Sequence, residues 1–212
     1  MNYLNFELSI KIDNTCIENY KNKSNNEIFE YINHILIDAK NDDMFSPFSF
    51  MVRSKFVKIF SWSLPSKDSI DQLTKFIDND NVLEIAGGRG LWSLLLKNNN
   101  INIKCTSIND GHYYNNEDMK LTWTDIELLS YENAINKYSN YNCLFLSWGS
   151  GVLTDALTQF KGNKLILIGE EGDGCTDSMY EELENETGFK LNKVIKIPQW
   201  SYIHDKIFIY TR

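Results

Sequence analysis

The stretch Val82-Leu83-Glu84-Ile85-Ala86-Gly87-Gly88-Arg89-Gly90, followed by Leu91-Trp92-Ser93-Leu94-Leu95-Leu96, reads as a short apolar strand that ends in a carboxylate, turns on glycines and enters a helix. Gly88 and Gly90 carry no Cβ, so they accept unusual dihedrals and let backbone N–H groups approach a ligand at the helix start. A dinucleotide fingerprint, G-x-G-x-x-G, would need a third glycine for close helix–strand packing, and here that position is Ser93. Glu84 discriminates further, because a carboxylate at the strand end repels a pyrophosphate and attracts a cation. The turn is therefore predicted to hold a positively charged cofactor. Without a ligand, the same residues would form a buried strand with Glu84 half exposed at its end and a tight connection.

Upstream of this strand, Pro65 and Ser66 mark a helix start, and Ile70, Leu73, Phe76 and Ile77 form its apolar face up to the turn Asp78-Asn79-Asp80-Asn81. Further back, Ser24-Asn25-Asn26-Glu27 offers a capping box that opens a helix with Ile28, Tyr31, Ile32, Ile35 and Leu36 at helical spacing. That stripe is expected to pack an N-terminal extension against the main domain. Residues 1–23 are polar and irregular, with a candidate edge strand at 8–12. A polar break at Lys40-Asn41-Asp42-Asp43 precedes an aromatic-rich stretch at 45–62. The expected organisation is an extension with one helix over residues 1–45 and a main domain over 46–212.

Downstream, short apolar or β-branched runs at 101–108, 121–124, 143–148 and 164–168 are bounded by polar turns, and helical patterns separate most of them. Such alternation predicts an α/β fold, a three-layer Rossmann-like sandwich with a mostly parallel sheet and right-handed crossovers. The end differs. Runs at 193–197 and 207–210 are joined by nine residues without room for a helix, so they are expected to pair as an antiparallel β-hairpin.

Composition narrows the function. The 212 residues carry 21 Lys plus Arg against 29 Asp plus Glu, a net charge of −8, which disfavours nucleic acid as a partner. Cys16, Cys105, Cys143 and Cys175 lie far apart with no C-x-x-C pair and no clustered histidines, so they suggest reduced core thiols and no metal site. The acidic Glu170-Glu171-Gly172-Asp173-Gly174 loop lacks the spacing and distal glutamate of an EF-hand. No basic leader followed by an apolar stretch opens the chain, and no run of about 18 apolar residues occurs. A cytoplasmic protein that does not cross a membrane is expected.

The pattern acid-x-small-x-Gly-x-Gly, with Glu84 as the acid and Ala86 as a mild replacement for the usual first glycine, resembles the first motif of the class I methyltransferases that use S-adenosylmethionine. From about residue 50 onward the chain is similar to a narrower group of small methyltransferase-like proteins. The narrower resemblance rests on Arg53, Phe60-Ser61-Trp62-Ser63-Leu64-Pro65, Leu144-Phe145-Leu146-Ser147-Trp148, the segment from Lys161 to Glu170, Ile197-Pro198-Gln199-Trp200 and His204-Asp205. It implies S-adenosyl-L-methionine as cofactor, held at Glu84, Ala86, Gly87, Gly88 and Gly90, with Phe60 and Trp62 closing over it and Trp148 walling the site. A ribose-binding acid is implied at the end of the second strand. Asp110 lies ~20 residues beyond the glycines, as in dinucleotide sites; strand periodicity offers Ser107 or Asn109 instead. Asp125 is the implied adenine acceptor, or else a helix-opening cap.

Methyl transfer from a sulfonium is an in-line displacement that needs alignment in a dry cavity and no covalent nucleophile. A hydroxyl or protonated amine acceptor would need a base, for which Glu170, His204 and Asp205 are the candidates. Amino-methylating relatives carry Asp/Asn-Pro-Pro-aromatic after the fourth strand, whereas this chain has Ser147-Trp148-Gly149-Ser150. The expected activity is methyl transfer to a small-molecule acceptor; the alternatives are a catalytically degenerate fold that binds cofactor or partner, and a nicotinamide oxidoreductase.

Overall fold

A computed structural model describes residues 12–40, 47–108, 114–170 and 187–212. Helices α1 (Thr15–Tyr20), α2 (Asn25–Lys40), α3 (Pro47–Ile59) and α4 (Lys67–Ile77) precede strand β1 (Val82–Glu84). There follow α5 (Leu91–Lys97), β2 (Ile103–Ser107), β3 (Ile126–Leu128), α6 (Tyr131–Lys137), β4 (Cys143–Ser147), α7 (Leu153–Gln159), β5 (Lys164–Gly169), β6 (Lys190–Lys196) and β7 (Lys206–Thr211). One sheet contains all seven strands of the described residues in the order β3-β2-β1-β4-β5-β7-β6. Strands β1 to β5 pair parallel and β6 pairs antiparallel with β7, as the sequence predicts, and β7 also runs antiparallel to β5.

Period-two alternation assigns the sheet's two faces. Phe145, Ile166, Ile168, Ile207 and Ile209 point into one core, and Leu144, Leu146, Leu165, Leu167, Phe208 and Tyr210 into the other. Helices α6 and α7 cover the second face through Ala134, Ile135, Leu153, Ala156 and Leu157. The first face is covered by helices from both the N-terminal region and the glycine segment, so Cys16, Ile17, Ile28 and Ile32 share a core with Leu73, Leu95 and Val82.

Both expected helix starts are capped. Glu27 Oε2 accepts from Ser24 N at 2.9 Å and from Ser24 Oγ at 2.7 Å, while Ser66 and Ser69 form a reciprocal box at the head of α4. The N-terminal region holds a helix beyond the one expected. Helix α1 is six residues long, shorter than two turns, so no apolar stripe can betray it; just before it, Asp13 Oδ1 accepts from Thr15 N at 2.8 Å. The aromatic-rich stretch contains α3, whose Val52 and Phe56 are fully buried. The candidate edge strand at 8–12, except for Ile12, and the 45/46 boundary lie outside the described residues. Among the described residues, no helix is long and apolar enough to cross a membrane.

The run expected as a strand at 121–124 is the one misplaced element. Strand β3 begins at Ile126, and its register sets Ile126 opposite Cys105 and Leu128 opposite Ser107. Trp123 is instead drawn out of the sheet plane, its backbone N–H bonded to Arg89 O at 2.9 Å and its indole Nε1 to Ile59 O at 2.8 Å.

Candidate functional site

The carboxyl ends of β1, β2 and β4 open onto a cavity of about 500 Å³. In open parallel sheets, ligands bind outside this end of the strands. After Glu84 the chain is stitched to both neighbouring strands, with Ile85 N donating to Phe145 O at 3.1 Å and Gly87 N to Thr106 O at 3.0 Å. The bend closes through Gly90 N on Gly87 O at 2.9 Å. Ala86, Gly88 and Gly90 all have left-handed φ, of +54°, +55° and +82°. Ala86 is thus a less mild replacement than its sequence position suggests, since that conformation costs an L residue ~1–2 kcal/mol. Ala86→Gly is expected to relieve the strain against a smaller loss of chain entropy, for a net stabilisation of ~0.5–1 kcal/mol, read as a rise of a few degrees in Tm.

The glycines differ in what they make room for. A Cβ at Gly87 would fall 2.5 Å from Cys105 Sγ and 3.0 Å from Glu84 Cδ, and one at Gly88 would fall 3.0 Å from the Tyr114 hydroxyl at the cavity wall. At Gly90 it would meet Thr124 Cγ2 at 2.9 Å, away from the cavity lining. Gly90 therefore serves helix packing and the turn.

Glu84 lies on the cavity wall yet is 1% exposed, more buried than a strand-end acid is expected to be. Burial raises its pKa to about 7, against the hydrogen bonds from Ser93 and Cys105 and the field of Lys97. Ser93 explains itself here: its Oγ donates to Glu84 Oε2, so the residue standing where a third glycine would be serves the carboxyl. Burial and the Glu84 charge push the Cys105 thiol well up, which keeps it protonated.

Of the residues expected to hold a cofactor, Glu84, Ala86, Gly87, Gly88, Phe60, Trp62 and Trp148 line this one cavity. Ser107 lines it too, at the end of β2, whereas Asn109 and Asp110 lie outside the described residues. Asp125 is not brought to the site. It precedes β3 at the strand's amino end and is exposed, because the strand starts later than the apolar run suggests; the ligand-facing end is Leu128, level with Ser107. The three candidate bases gather beside the cavity without lining it. Glu170 accepts a hydrogen bond from His204 N, His204 is exposed, and Asp205 is buried with its Oδ2 accepting from Trp148 Nε1 at 3.2 Å. Burial and the Glu170 charge raise the Asp205 pKa to about 6, opposed by the Trp148 hydrogen bond and Arg53.

Sequence reading missed three supports. Arg89 is 1% exposed and clamps the glycine loop, donating from Nε to Leu121 O at 3.0 Å and from Nη2 to Asn14 Oδ1 at 2.9 Å. It thereby ties the turn to the N-terminal region; a lone Arg between glycines gives no such signal. Tyr114, from beyond β2, packs over Gly88 and is itself held up in pKa to about 12 by burial. At the cavity wall, Trp92 Nε1 donates to Ser63 Oγ at 3.0 Å, and the Ser63 and Ser147 hydroxyls are 2.8 Å apart, joining α5 to the end of β4.

No protein-family model and no curated protein matches the sequence. Solved structures do resemble the fold. One is a magnesium protoporphyrin IX methyltransferase from Synechocystis with bound S-adenosylmethionine, at a TM-score of 0.53 and 10% identity, covering 88% of this chain and 96% of that one. Another is the 1,6-didemethyltoxoflavin-N1-methyltransferase of Burkholderia thailandensis, with bound 1,6-didemethyltoxoflavin and S-adenosylhomocysteine, at 0.50 and 10%, covering 69% and 77%. The strand order, the terminal antiparallel pair and these likenesses define the architecture: the chain has the Rossmann-like fold of the class I S-adenosylmethionine-dependent methyltransferases.

Proposed function

We propose that the chain is an S-adenosylmethionine-dependent methyltransferase that passes a methyl group to a small-molecule acceptor by in-line displacement. The observation that carries the reading is Glu84, a buried carboxyl on the wall of an open cavity, set beside a bend where a Cβ at Gly87 would strike Glu84 and one at Gly88 would strike the cavity-lining Tyr114. Fold likeness alone is weak support for function, because one fold hosts many chemistries. The donor set supplies the rest: a carboxyl whose ionised form lacks solvation favours a cationic ligand and disfavours a pyrophosphate.

In this reading Glu84 and the glycine loop hold the cofactor, which supplies an electrophilic methyl group when bound. Ser93 orients the Glu84 carboxyl, and the indoles of Trp62 and Trp148 with Phe60 exclude water. Ser107 and Ser147 offer hydroxyls to polar ligand groups at the ends of β2 and β4. Glu170, His204 and Asp205 remain the candidates for taking up an acceptor proton.

Calorimetry with S-adenosylmethionine, S-adenosylhomocysteine and NADH tests the cofactor assignment. Both sulfur compounds are expected to bind and NADH is not; the reverse order would overturn it. Incubation with methyl-labelled cofactor and cell extract then separates turnover from binding alone. A labelled product is expected, and binding without any product would favour the catalytically degenerate alternative, to which the altered segment Ser147-Trp148-Gly149-Ser150 already points.

A further inference from the structure

Two charged side chains sit outside the cavity, yet each engages one of the two indoles that form its wall. The guanidinium of Arg53, on α3, lies 5.7 Å from the ring centroid of Trp62. Asp205, in the connection before β7, accepts from the Trp148 indole N–H. The rings of Trp62 and Trp148 are themselves stacked, with centroids 5.5 Å apart and planes 28° from parallel. Both indoles line the cavity, and neither Arg53 nor Asp205 does.

Trp148 is held against its own backbone preference. Its φ is +58°, which for a bulky residue marks strain of ~1–3 kcal/mol, and such a conformation persists only when the surroundings fix it. Its backbone N–H bonds to Ile168 O at 2.9 Å, which fixes the main chain but leaves the ring free to rotate about its side-chain bonds. The ring is fixed by Asp205 on its N–H and by Trp62 on its face. Arg53 and Asp205 attract each other, but Arg53 Nε and Asp205 Oδ1 are both buried without a hydrogen-bond partner among the described residues. Each charge is turned to an indole instead.

We infer that Arg53 and Asp205 are positioning residues: an opposite-charge brace that holds the Trp62–Trp148 pair as a rigid wall on the cavity. The wall's use as the acceptor side of the site rests on the methyl-transfer reading; the brace itself does not. Asp205 then acts on the reaction through Trp148 and need not touch the acceptor.

The test uses the whole 212-residue chain without ligand. Paired indoles give an exciton couplet in far-ultraviolet circular dichroism, and its size is defined as the difference between wild type and Trp62→Phe. Asp205→Leu, which keeps the branched shape at Cγ and removes the acceptor, is expected to lose more than half of that couplet. Asp205→Asn, whose amide oxygen can still accept from the indole N–H, is expected to keep most of it. An undiminished couplet in Asp205→Leu would overturn the brace, as would equal losses in the Leu and Asn variants. If Asp205→Leu fails to fold, Arg53→Met decides: it keeps the aliphatic stem, and an unchanged couplet there would overturn the proposal. Binding of S-adenosylmethionine to wild type, measured separately by calorimetry, tests the methyl-transfer reading, so the two can fail independently.

Discussion

Gly88→Trp is expected to abolish cofactor binding while leaving a folded protein. Gly88 forms part of the cavity wall with φ +55°, and its missing Cβ faces the Tyr114 hydroxyl at 3.0 Å. An indole built there has to enter the cavity or displace Tyr114, and either outcome fills the space a ligand would take. The stability cost is bounded, since a left-handed L residue costs ~1–2 kcal/mol and the ring gains apolar contacts. For a chain of this size that is a fall of a few degrees in Tm. Calorimetry is therefore expected to give no heat with S-adenosylmethionine, next to a melting curve close to wild type. Affinity unchanged within a factor of about three would place the ligand elsewhere.

Glu84→Gln is expected to weaken S-adenosylmethionine binding on the order of 100-fold at pH 8. Two unit charges ~5 Å apart near a protein surface attract by about 3 kcal/mol, and replacing carboxylate by amide removes that attraction while keeping the shape. The pH dependence follows from the raised pKa. With the Glu84 pKa at about 7 in the folded protein, a cationic ligand has to ionise the carboxyl, so binding releases a proton below pH 7. Wild-type affinity is expected to fall as pH drops below 7, by up to about tenfold per unit, and to be flat in the variant. Proton release is read by calorimetry in buffers of different ionisation enthalpy.

The same shift acts on stability without ligand, with a definite sign. A carboxyl whose pKa is raised on folding binds more protons in the native state, so stability falls as pH rises between the unfolded and folded values. For Glu84 that window runs from about 4.5 to about 7, and for Asp205 from about 3.8 to about 6. Carboxyls with lowered pKa, such as Asp80 beside Lys164, lose their contribution only at lower pH. Wild-type Tm is thus expected to decline from pH 5 to pH 7.5, and the decline to shrink in Glu84→Gln. A parallel decline in the two proteins would mean that Glu84 is ionised throughout.

Local chemistry made much of the fold legible. Strand, glycine bend and helix around Glu84 follow from residue type, and β4, β5 and β7 read as continuous apolar runs because both faces of the sheet are covered. Capping at Ser24 and Ser66 is a short-range hydrogen-bond pattern and reads directly. What failed was set by long-range contacts. The apolar run at 121–124 is spent on Arg89 and Ile59 rather than on the sheet, so β3 starts at Ile126 and leaves Asp125 exposed. Helix α1 is too short for a periodicity.

The site divides along the same line. Residues on the bend and at strand ends, such as Glu84, Gly87, Gly88 and Trp148, come together because the sheet's topology places them there. Arg89, Ser93 and Tyr114 act through partners distant in sequence or in unexpected roles, and no spacing rule reveals them. Burial of Glu84 also changes the electrostatic argument. Its raised pKa leaves its charge at neutral pH open to its surroundings, and a bound cation is expected to ionise it.

The most direct test is a crystal structure of the complex with S-adenosylhomocysteine. The ligand is expected in the cavity at the carboxyl ends of β1, β2 and β4, with its amino acid portion against the Gly87–Gly88 bend on the Glu84 side. A ligand bound elsewhere, or a cavity closed by packed protein atoms, would contradict the assignment.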